Sequence, residues 1–275
     1  MDIKLKPIIK WLGGKTQIVD RIINKIEPYS EQLEDSRFIE PFVGGGAVFL
    51  ALMPKKLLIN DINPYLMNMY RIIKEKPEEL IIDLKTHQLS KEYYYNIRKE
   101  QIFDENKVRE ASKFIFLNKA GFRGIYRENS KGEFNVPFGN YKKPLICDEK
   151  NIRNISIYFN SIDLIILNLS FEYVLTTEYI TERDFVYLDP PYMPMKENQF
   201  TKYNKNDFGV KNQEKLFNIL NNQIQCKFLE SNSPNINIIN MYSKFKQDIF
   251  TAKRSISVKQ GKTILENNEI LISNF

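Results

Sequence analysis

The chain is poor in the side chains on which most metal sites and many nucleophilic enzymes depend. Its 275 residues include one histidine, His87, and two cysteines, Cys147 and Cys226, which lie far apart and outside any C-x-x-C pair. These counts exclude a multi-histidine metal site and give no support to a disulfide framework or a structural zinc site. Activation of a nucleophile by histidine is disfavoured for the same reason. Any catalysis must then rest on carboxylates, backbone groups, aromatic rings or a cofactor, and we expect no metal.

Long apolar runs are also missing. No stretch is long enough to cross a bilayer, and the opening residues MDIKLKPIIKWLGG interleave lysines with aliphatic side chains, unlike the apolar core of a signal peptide. We therefore expect a cytoplasmic protein with no membrane partner. His87 has helical spacing and no evident chemical companion, so a passive surface or packing role is expected for it.

Positive charge is in modest excess. Lysine and arginine number 40 against 34 aspartate and glutamate residues, which gives a formal net charge of +6. Such an excess attracts polyanions, although many basic proteins bind none. Several basic residues surround a glycine- and aromatic-rich segment at 121–143, which fits a nucleic-acid surface and equally a solvated one.

Apolar patterning predicts an α/β fold. TQIVDRIINKIEP is an amphipathic helix that ends at Pro28, RFIEPFVGGGAVFLAL is a strand, a glycine turn and a helix, and KLLINDINP is a strand. This is the order of a mononucleotide-binding βαβ unit. SIDLIILNLS and DFVYLDPPY are near-continuous apolar runs, typical of central parallel strands buried on both faces. A helix near 211–221 and strands at CKFLESN and TILENNEILISNF complete the pattern.

Between these strands the pattern changes. Residues 65–88 and 108–119 have helical patterning, and two short β-like runs flank ENSKG, where Gly132 can take a positive φ in a hairpin loop. The sequence thus predicts a sheet domain built from residues 1–62 and 151–275, with a helical and β-hairpin module inserted at 63–150.

Neither glycine-rich segment matches a phosphate-binding motif. GGKT at 13–16 would need glycine at position 9 to complete G-x-x-x-x-G-K-[ST], and FVGGGAVFL has Phe49 where G-x-G-x-x-G needs its third glycine. Three glycines between a strand and a helix still let a backbone approach a ligand, and Asp61 at the next strand end can accept both hydroxyls of a ribose. This predicts a nucleoside cofactor without a pyrophosphate. A tight turn beside an incidental acid is the alternative.

The segment DPPY ends an apolar strand with an acid and two prolines. Asp189 and the Pro190 carbonyl are two acceptors that can lie side by side, which suits an exocyclic NH₂ group with two hydrogens to donate. Held this way, the amino nitrogen of a nucleobase can direct its lone pair at an electrophilic methyl group. Tyr192 offers a ring for stacking, and a base in a duplex would have to leave its stack to reach it.

Seven stretches in order along nearly the whole chain resemble the Dam-like DNA adenine-N6 methyltransferases of the D12 class, an α-type amino-methyltransferase group. They are KWLGGKTQIVDRI, FIEPFVGGGAVF, INDIN, LNKAGFRGIYRENSKGEFNVPFGNYKKP, VYLDPPYMP, FTKY and KRSIS. The resemblance implies a Rossmann-like class I sheet, S-adenosyl-L-methionine as cofactor, double-stranded DNA as partner and a DNA-reading role for residues 63–150. It also implies a bacterial or phage-encoded, nucleoid-associated protein, which we expect to be a monomer.

The resemblance also implies site residues. Asp189, Pro190, Pro191 and Tyr192 form the catalytic segment. The cofactor site takes Trp11, Gly13, Gly14, Lys15, Glu40, Pro41, Phe42, Gly44, Gly45, Gly46, Asp61, Ser170, Phe171 and Asp189. DNA contacts fall on Lys10, Phe122, Arg123, Ile125, Arg127, Pro137, Asn140, Tyr141 and Lys142.

Two hairpin positions depart from the GATC-specific pattern of the family. Those relatives typically have asparagine where this chain has Arg123, and arginine where it has Asn140. Arg127, which can grip guanine with two hydrogen bonds, and Pro137, which can touch a thymine methyl, favour a GATC or GATC-like site. The altered pair leaves the sequence preference open.

Two other functions fit parts of the sequence. An N4-cytosine or RNA amino-methyltransferase would use a similar pocket, although Asp at 189 rather than Ser weighs against the cytosine enzymes. A DNA-binding module with an inactive cofactor site would require damage to the cofactor or catalytic segments, and the sequence shows none.

Overall fold

A computed structural model of the chain describes residues 4–100, 106–192, 208–251 and 268–275. The segments FTKY and KRSIS, and the last two residues of VYLDPPYMP, lie outside this range. The statements below concern the described residues.

A seven-stranded mixed sheet forms the centre of the structure. Its strands are β1 (Phe38–Glu40), β2 (Lys56–Asn60), β3 (Asp163–Leu167), β4 (Phe185–Leu188), β5 (Lys227–Asn232), β6 (Lys246–Thr251) and β7 (Asn268–Ser273). They lie in the order β3-β2-β1-β4-β5-β7-β6, with β1 to β5 parallel and β7 antiparallel to both of its neighbours. This confirms the predicted α/β, Rossmann-like fold. The strand order reverses between β1 and β4, so a ligand crevice is expected beyond the carboxyl ends of these two strands.

Helices cover both faces of the sheet. They are α1 (Val19–Ile26), α2 (Ser30–Asp35), α3 (Ala47–Leu52), α4 (Pro64–Glu75), α5 (Pro77–Thr86), α6 (Lys91–Lys99), α7 (Lys107–Ala120), α8 (Glu149–Ser161), α9 (Phe171–Val174), α10 (Val210–Asn222) and α11 (Ile236–Met241). The start of α4 shows why a helix begins where it does. The Asn63 side chain accepts from the Leu66 N–H, and Pro64 occupies the first turn, where no N–H is needed. Within the described residues, no helix has the length and apolar character required to cross a membrane.

Side chains that alternate along the strands contribute to two hydrophobic clusters, one on each face of the sheet. Phe38, Tyr187 and Leu229 point into a large cluster shared with α1, α3, α4, α5, α7 and α8. Their neighbours Ile39, Val186 and Phe228 point into a second cluster with α9, α10 and α11. Because successive side chains of a strand point to opposite faces, this alternation determines which side chains at the strand ends lie on the same face at the crevice.

Three expectations about local structure need correction. β3 was expected to be a central strand but lies at the sheet edge and is only partly buried; its apolar run is explained by packing against α4 and α8. β6 was not predicted, because its sequence KQDIFT is only half-buried and lacks a strong apolar pattern. The predicted hairpin forms two isolated antiparallel bridges, Gly121 to Phe138 and Glu128 to Phe134, rather than continuous strands.

The inserted segment shares its core with the sheet. Tyr70 on α4 packs edge-on against Phe49, and α5 and α7 contribute to the same large cluster. A third, smaller cluster joins Tyr94, Phe116 and Leu117 to the hairpin rings of Phe134 and Phe138. Helix α7 therefore connects the sheet to the hairpin. The division into a sheet domain of residues 1–62 and 151–275 and an inserted module of residues 63–150 remains a prediction about their separate roles.

His87 is buried beside helix α7, which agrees with the packing role expected for it. Its side chain is fully buried, its ring stacks on Phe116 with centroids 4.3 Å apart, and its nitrogens contact the hydroxyls of Tyr93 (3.1 Å) and Ser112 (3.0 Å). Burial, reinforced by the charge of Arg109, lowers the pKa of His87 to about 4. The imidazole is therefore neutral at physiological pH.

His87 should make stability fall with acidification. Because its folded-state pKa lies below the value of about 6.5 in the unfolded chain, the unfolded state binds the proton first as pH drops. Relative to His87→Phe, which keeps the stack but cannot titrate, the wild type should lose on the order of 2 kcal/mol of unfolding free energy between pH 7 and pH 5. Urea unfolding of both proteins at the two pH values measures this, and parallel losses in the two proteins would contradict it.

Candidate active site

An ion pair occupies the crevice at the end of β4. Asp189, the residue after this strand, meets Lys15 with an Nζ to Oδ1 distance of 2.6 Å, and the two side chains are 20% and 6% exposed. The same ammonium donates to the Gly13 carbonyl at 2.6 Å. The pairing fastens the N-terminal segment across the carboxyl edge of the sheet.

The segment that follows β4, residues 189–192, is anchored at two points. The Lys15 ammonium lies 4.7 Å from the centroid of the Tyr192 ring, and the Tyr192 hydroxyl donates to Glu269 Oε2 on β7 at 2.6 Å. Gln213 on α10 donates to the Pro191 carbonyl at 2.9 Å. With φ fixed at both prolines, the direction in which the chain leaves β4 is closely defined.

Burial shapes the electrostatics of the crevice. It raises the pKa of Asp189 to about 6; Lys15 opposes this rise and the charge of Glu269 adds to it. Glu40, at the end of β1, is also buried, and burial raises its pKa well above the usual range. Its Oε1 has no hydrogen-bond partner among the described residues. The crevice thus holds the buried carboxyl group of Glu40 besides Asp189, which is paired with Lys15, and the site is suited to a cationic ligand.

The glycine loop after β1 is packed against Trp11. Gly44 has φ +48°, and a Cβ there would lie 2.7 Å from Trp11 Cδ1; one on Gly45 would lie 3.2 Å from Trp11 Cβ. Gly46 has φ +73°, with Phe49 and the Tyr70 hydroxyl in the space of a Cβ. The three glycines are therefore needed for close packing as well as for backbone conformation.

Asp61 lies beside this loop. It accepts from the Gly44 N–H at 3.2 Å through Oδ2 and from the Asn63 N–H at 3.0 Å through Oδ1. Burial raises the pKa of Asp61 to about 6. Each oxygen retains acceptor capacity, so the carboxylate can still receive two hydroxyl groups.

Asn60, the last residue of β2, joins the loops around this site. Its side-chain amide donates to the carbonyls of Pro41 (2.9 Å) and Leu169 (3.0 Å) and accepts from the Leu169 N–H at 2.8 Å. This brings Ser170 and Phe171 to the glycine loop, where Phe42 and Phe171 pack with ring centroids 5.4 Å apart.

A second group of predicted residues forms the base of the hairpin. The Arg123 N–H donates to the Tyr141 hydroxyl at 2.8 Å, Lys10 Nζ lies 4.6 Å from the Tyr141 ring centroid, and the Arg123 guanidinium lies 5.1 Å from the Phe122 ring. Phe122, Arg123 and Lys10 are exposed. Cationic and aromatic groups therefore share one accessible surface, which we call the hairpin surface.

Further along the hairpin, Arg127 is exposed and its Nε donates to Asn135 Oδ1 at 2.7 Å. Pro137, Asn140 and Lys142 are exposed, and Ile125 is half-buried. Both departures from the family pattern, Arg123 (φ 59°) and Asn140 (φ 53°), have left-handed backbone conformations.

The predicted residues thus fall into two groups, the crevice and the hairpin surface. Sequence reasoning missed the side chains that hold the groups in place. Asn118 accepts from the Lys10 N–H (2.9 Å) and donates to the Lys10 and Gly124 carbonyls (2.7 and 3.0 Å), while Gln213 and Glu269 anchor the segment after β4. Asn118 lies inside the motif that begins LNKAGFRG, whereas the sequence around Gln213 and Glu269 gave no indication of a role in the site. Within the described part of the chain, no group of His, Cys, Asp and Glu side chains could hold a metal ion.

Comparison with known proteins gives consistent matches. The model of a family described as D12 class N6 adenine-specific DNA methyltransferase matches residues 11–259. The chain is 37% identical to the type II methyltransferase M.MjaIII of Methanocaldococcus jannaschii, covering 99% of this chain and 100% of that protein. It is 34% identical to a DNA adenine methylase of Haemophilus influenzae (97% and 90% covered) and 31% identical to one of Escherichia coli K12 (94% and 91%).

Trp11 offers a direct test of the loop packing, because it is the single tryptophan of the chain. Gly44→Ala should displace the indole, shift its fluorescence emission and destabilise the protein by about 1–3 kcal/mol, as overpacking does. Gly13→Ala is the matched control, since its φ is also positive (+80°) but its Cβ would meet nothing within 4 Å. Equal emission spectra for the two variants would show that Trp11 does not contact the loop.

Proposed function

The chain belongs to the D12 class of N6 adenine-specific DNA methyltransferases, and from that premise we propose its reaction. It transfers a methyl group from S-adenosyl-L-methionine to N6 of an adenine flipped out of duplex DNA, within a GATC or GATC-like site. The observation that carries the proposal is the position of Asp189 and Tyr192 at the strand-order reversal, close to the loop that Trp11 covers.

The crevice fits the proposed cofactor. The orphaned, buried Oε1 of Glu40 can accept from a cationic group, Asp61 can accept from the two ribose hydroxyls, and Phe42 with Phe171 supplies an apolar wall. Trp11, Gly13, Gly14, Lys15, Pro41, Gly44, Gly45, Gly46 and Ser170 complete the proposed cofactor site. When bound, S-adenosyl-L-methionine supplies a methyl group made electrophilic by its sulfonium.

The catalytic segment orients the target amine. Asp189, ionised, accepts one amine hydrogen and the Pro190 carbonyl accepts the other, while the Tyr192 ring stacks on the base; Pro191 fixes the chain between them. Lys15 now holds both the Asp189 carboxylate and the face of Tyr192.

The hairpin surface is the proposed DNA contact. Lys10, Phe122, Arg123, Ile125, Tyr141 and Lys142 lie along the duplex, and Arg127 and Pro137 face bases of the site. Because Asn135 holds Arg127 from the opposite run of the hairpin, its guanidinium is oriented for a bidentate contact with guanine. Asn140 precedes Tyr141, whose hydroxyl accepts from the Arg123 N–H, so the basic group has moved within the hairpin. Two of the relatives above are bacterial and one archaeal; we propose action as a cytoplasmic monomer on the nucleoid.

Methyl transfer to DNA tests the reaction. Purified protein, labelled S-adenosyl-L-methionine and unmethylated plasmid DNA should give label on N6 of deoxyadenosine after digestion to nucleosides. Asp189→Ala should lower kcat by at least about 100-fold, since it removes a preorganised acceptor. Glu172→Ala, which breaks an exposed ion pair with Lys215, is the control and should retain activity.

The product distinguishes the alternatives. Label on deoxycytidine, or label only on RNA, would replace the proposal with an N4-cytosine or RNA reaction. Full activity of Asp189→Ala would refute the assignment of the catalytic segment.

Two hairpin substitutions should separate base reading from phosphate contact. Arg127→Ala should relax discrimination at one base pair by about 10- to 100-fold, while Lys142→Ala should weaken binding evenly and lower the salt slope by about one. Binding to GATC duplexes and to single-base variants, at several salt concentrations, measures both effects. The same uniform loss for both variants would argue against base reading by Arg127.

A further inference from the structure

We propose that Glu269 is a positioning residue for methyl transfer: its hydrogen bond to the Tyr192 hydroxyl fixes the position and the long axis of the ring on which the target base stacks. The inference rests on the proposed function and adds to the catalytic segment a residue from the far end of the chain.

The antiparallel course of β7 brings Glu269 to the site. The parallel strands end at the crevice, whereas β7 runs the other way and so begins there, with Ile270 paired to Asn232 at the carboxyl end of β5. Side chains alternate along β7: Ile270 and Ile272 enter one hydrophobic cluster and Leu271 enters the other, together with Tyr187. Glu269 therefore lies on the same face as Leu271, and Asp189 on the same face as Tyr187.

The contact is strong enough to orient a ring. Glu269 is 8% exposed, and the distance of 2.6 Å to the Tyr192 hydroxyl is that of a charge-assisted hydrogen bond. A tyrosine ring is set by two side-chain torsions once its backbone is fixed. Here Gln213 holds the backbone through the Pro191 carbonyl, and Glu269 holds the opposite end of the side chain. The long axis of the ring is thus held at both ends.

Glu269 also acts electrostatically on Asp189, and this makes its role measurable. The titratable groups that are electrostatically coupled to Asp189 come from several elements: Lys15 of the N-terminal segment, Glu40 of β1, Tyr187 of β4, Tyr192, Glu230 of β5 and Glu269 of β7. Like charge from Glu269 raises the pKa of Asp189. Removing that charge lets Asp189 ionise at lower pH.

Four variants test the proposal: Glu269→Ala, Glu269→Gln, Tyr192→Phe and the double variant Glu269→Ala with Tyr192→Phe. Steady-state methyl transfer to unmethylated plasmid DNA gives kcat and KM for each. Glu269→Ala should lower kcat by about 10- to 100-fold with little change in KM for S-adenosyl-L-methionine, because a misplaced group near the chemistry costs this much. Tyr192→Phe should match it, and the double variant should lose no more than either single change.

Glu269→Gln supplies the conservative rescue. Its amide oxygen can still accept from the Tyr192 hydroxyl, so kcat should stay within about threefold of wild type, a loss of less than 1 kcal/mol in barrier. Burial raises the pKa of Asp189 to about 6, so the acidic limb of the wild-type pH profile of kcat/KM is expected near that pH, and the missing charge of the variant should move it to lower pH. A residue with a purely structural role would not shift this limb.

Ser273→Ala is the control on the same strand, far from the crevice, and should leave kcat and the pH profile unchanged; thermal unfolding of all variants verifies that they fold. Wild-type kcat in Glu269→Ala, or additive losses in the double variant, would overturn the inference and leave the proposed function intact. Equal losses in Glu269→Gln and Glu269→Ala with an unmoved acidic limb would overturn it as well. Absence of adenine methylation by the wild type would instead remove the proposed function, and this inference with it.

Discussion

The ion pair between Lys15 and Asp189 is the contact on which the rest of the site depends. Burial alone would leave Asp189 partly protonated near neutral pH, and the ammonium of Lys15 opposes this rise in pKa. A buried pair of this kind brings little net stability, because both groups lose their hydration. Its value lies in opposing the protonation of a carboxylate at the end of the central strand β4.

The same short segment of chain connects every part of the proposed machinery. Lys10 lies on the hairpin surface and is held there by Asn118, Trp11 covers the glycine loop, and Lys15 reaches the end of β4. Six consecutive residues, 10–15, therefore reach the hairpin surface, the glycine loop and the end of β4.

Much of the fold was predictable because its signals are local. The amphipathic helix α1, the strand, glycine turn and helix from β1 to α3, and the acid at the end of β2 all follow from periodicity and from residues with special backbone preferences. β3 shows the limit of this reasoning: packing against α4 and α8 makes an edge strand as apolar in sequence as a central one. β6 was not predicted for the opposite reason: a half-buried strand at the other edge of the sheet needs few apolar residues.

The sequence by itself determined the α/β class, the acidic residues that follow the strands, the lack of histidines for a multi-histidine metal site and, through its motifs, the adenine-methyltransferase family. Only the tertiary structure decided that Lys15 pairs with Asp189, that Asn118 holds Lys10 across 108 positions of the chain, and that Glu269 holds Tyr192 across 77. The physical reason is that periodicity reports which face of an element is buried, whereas partners distant in sequence are chosen by the strand order and by the direction in which each strand runs.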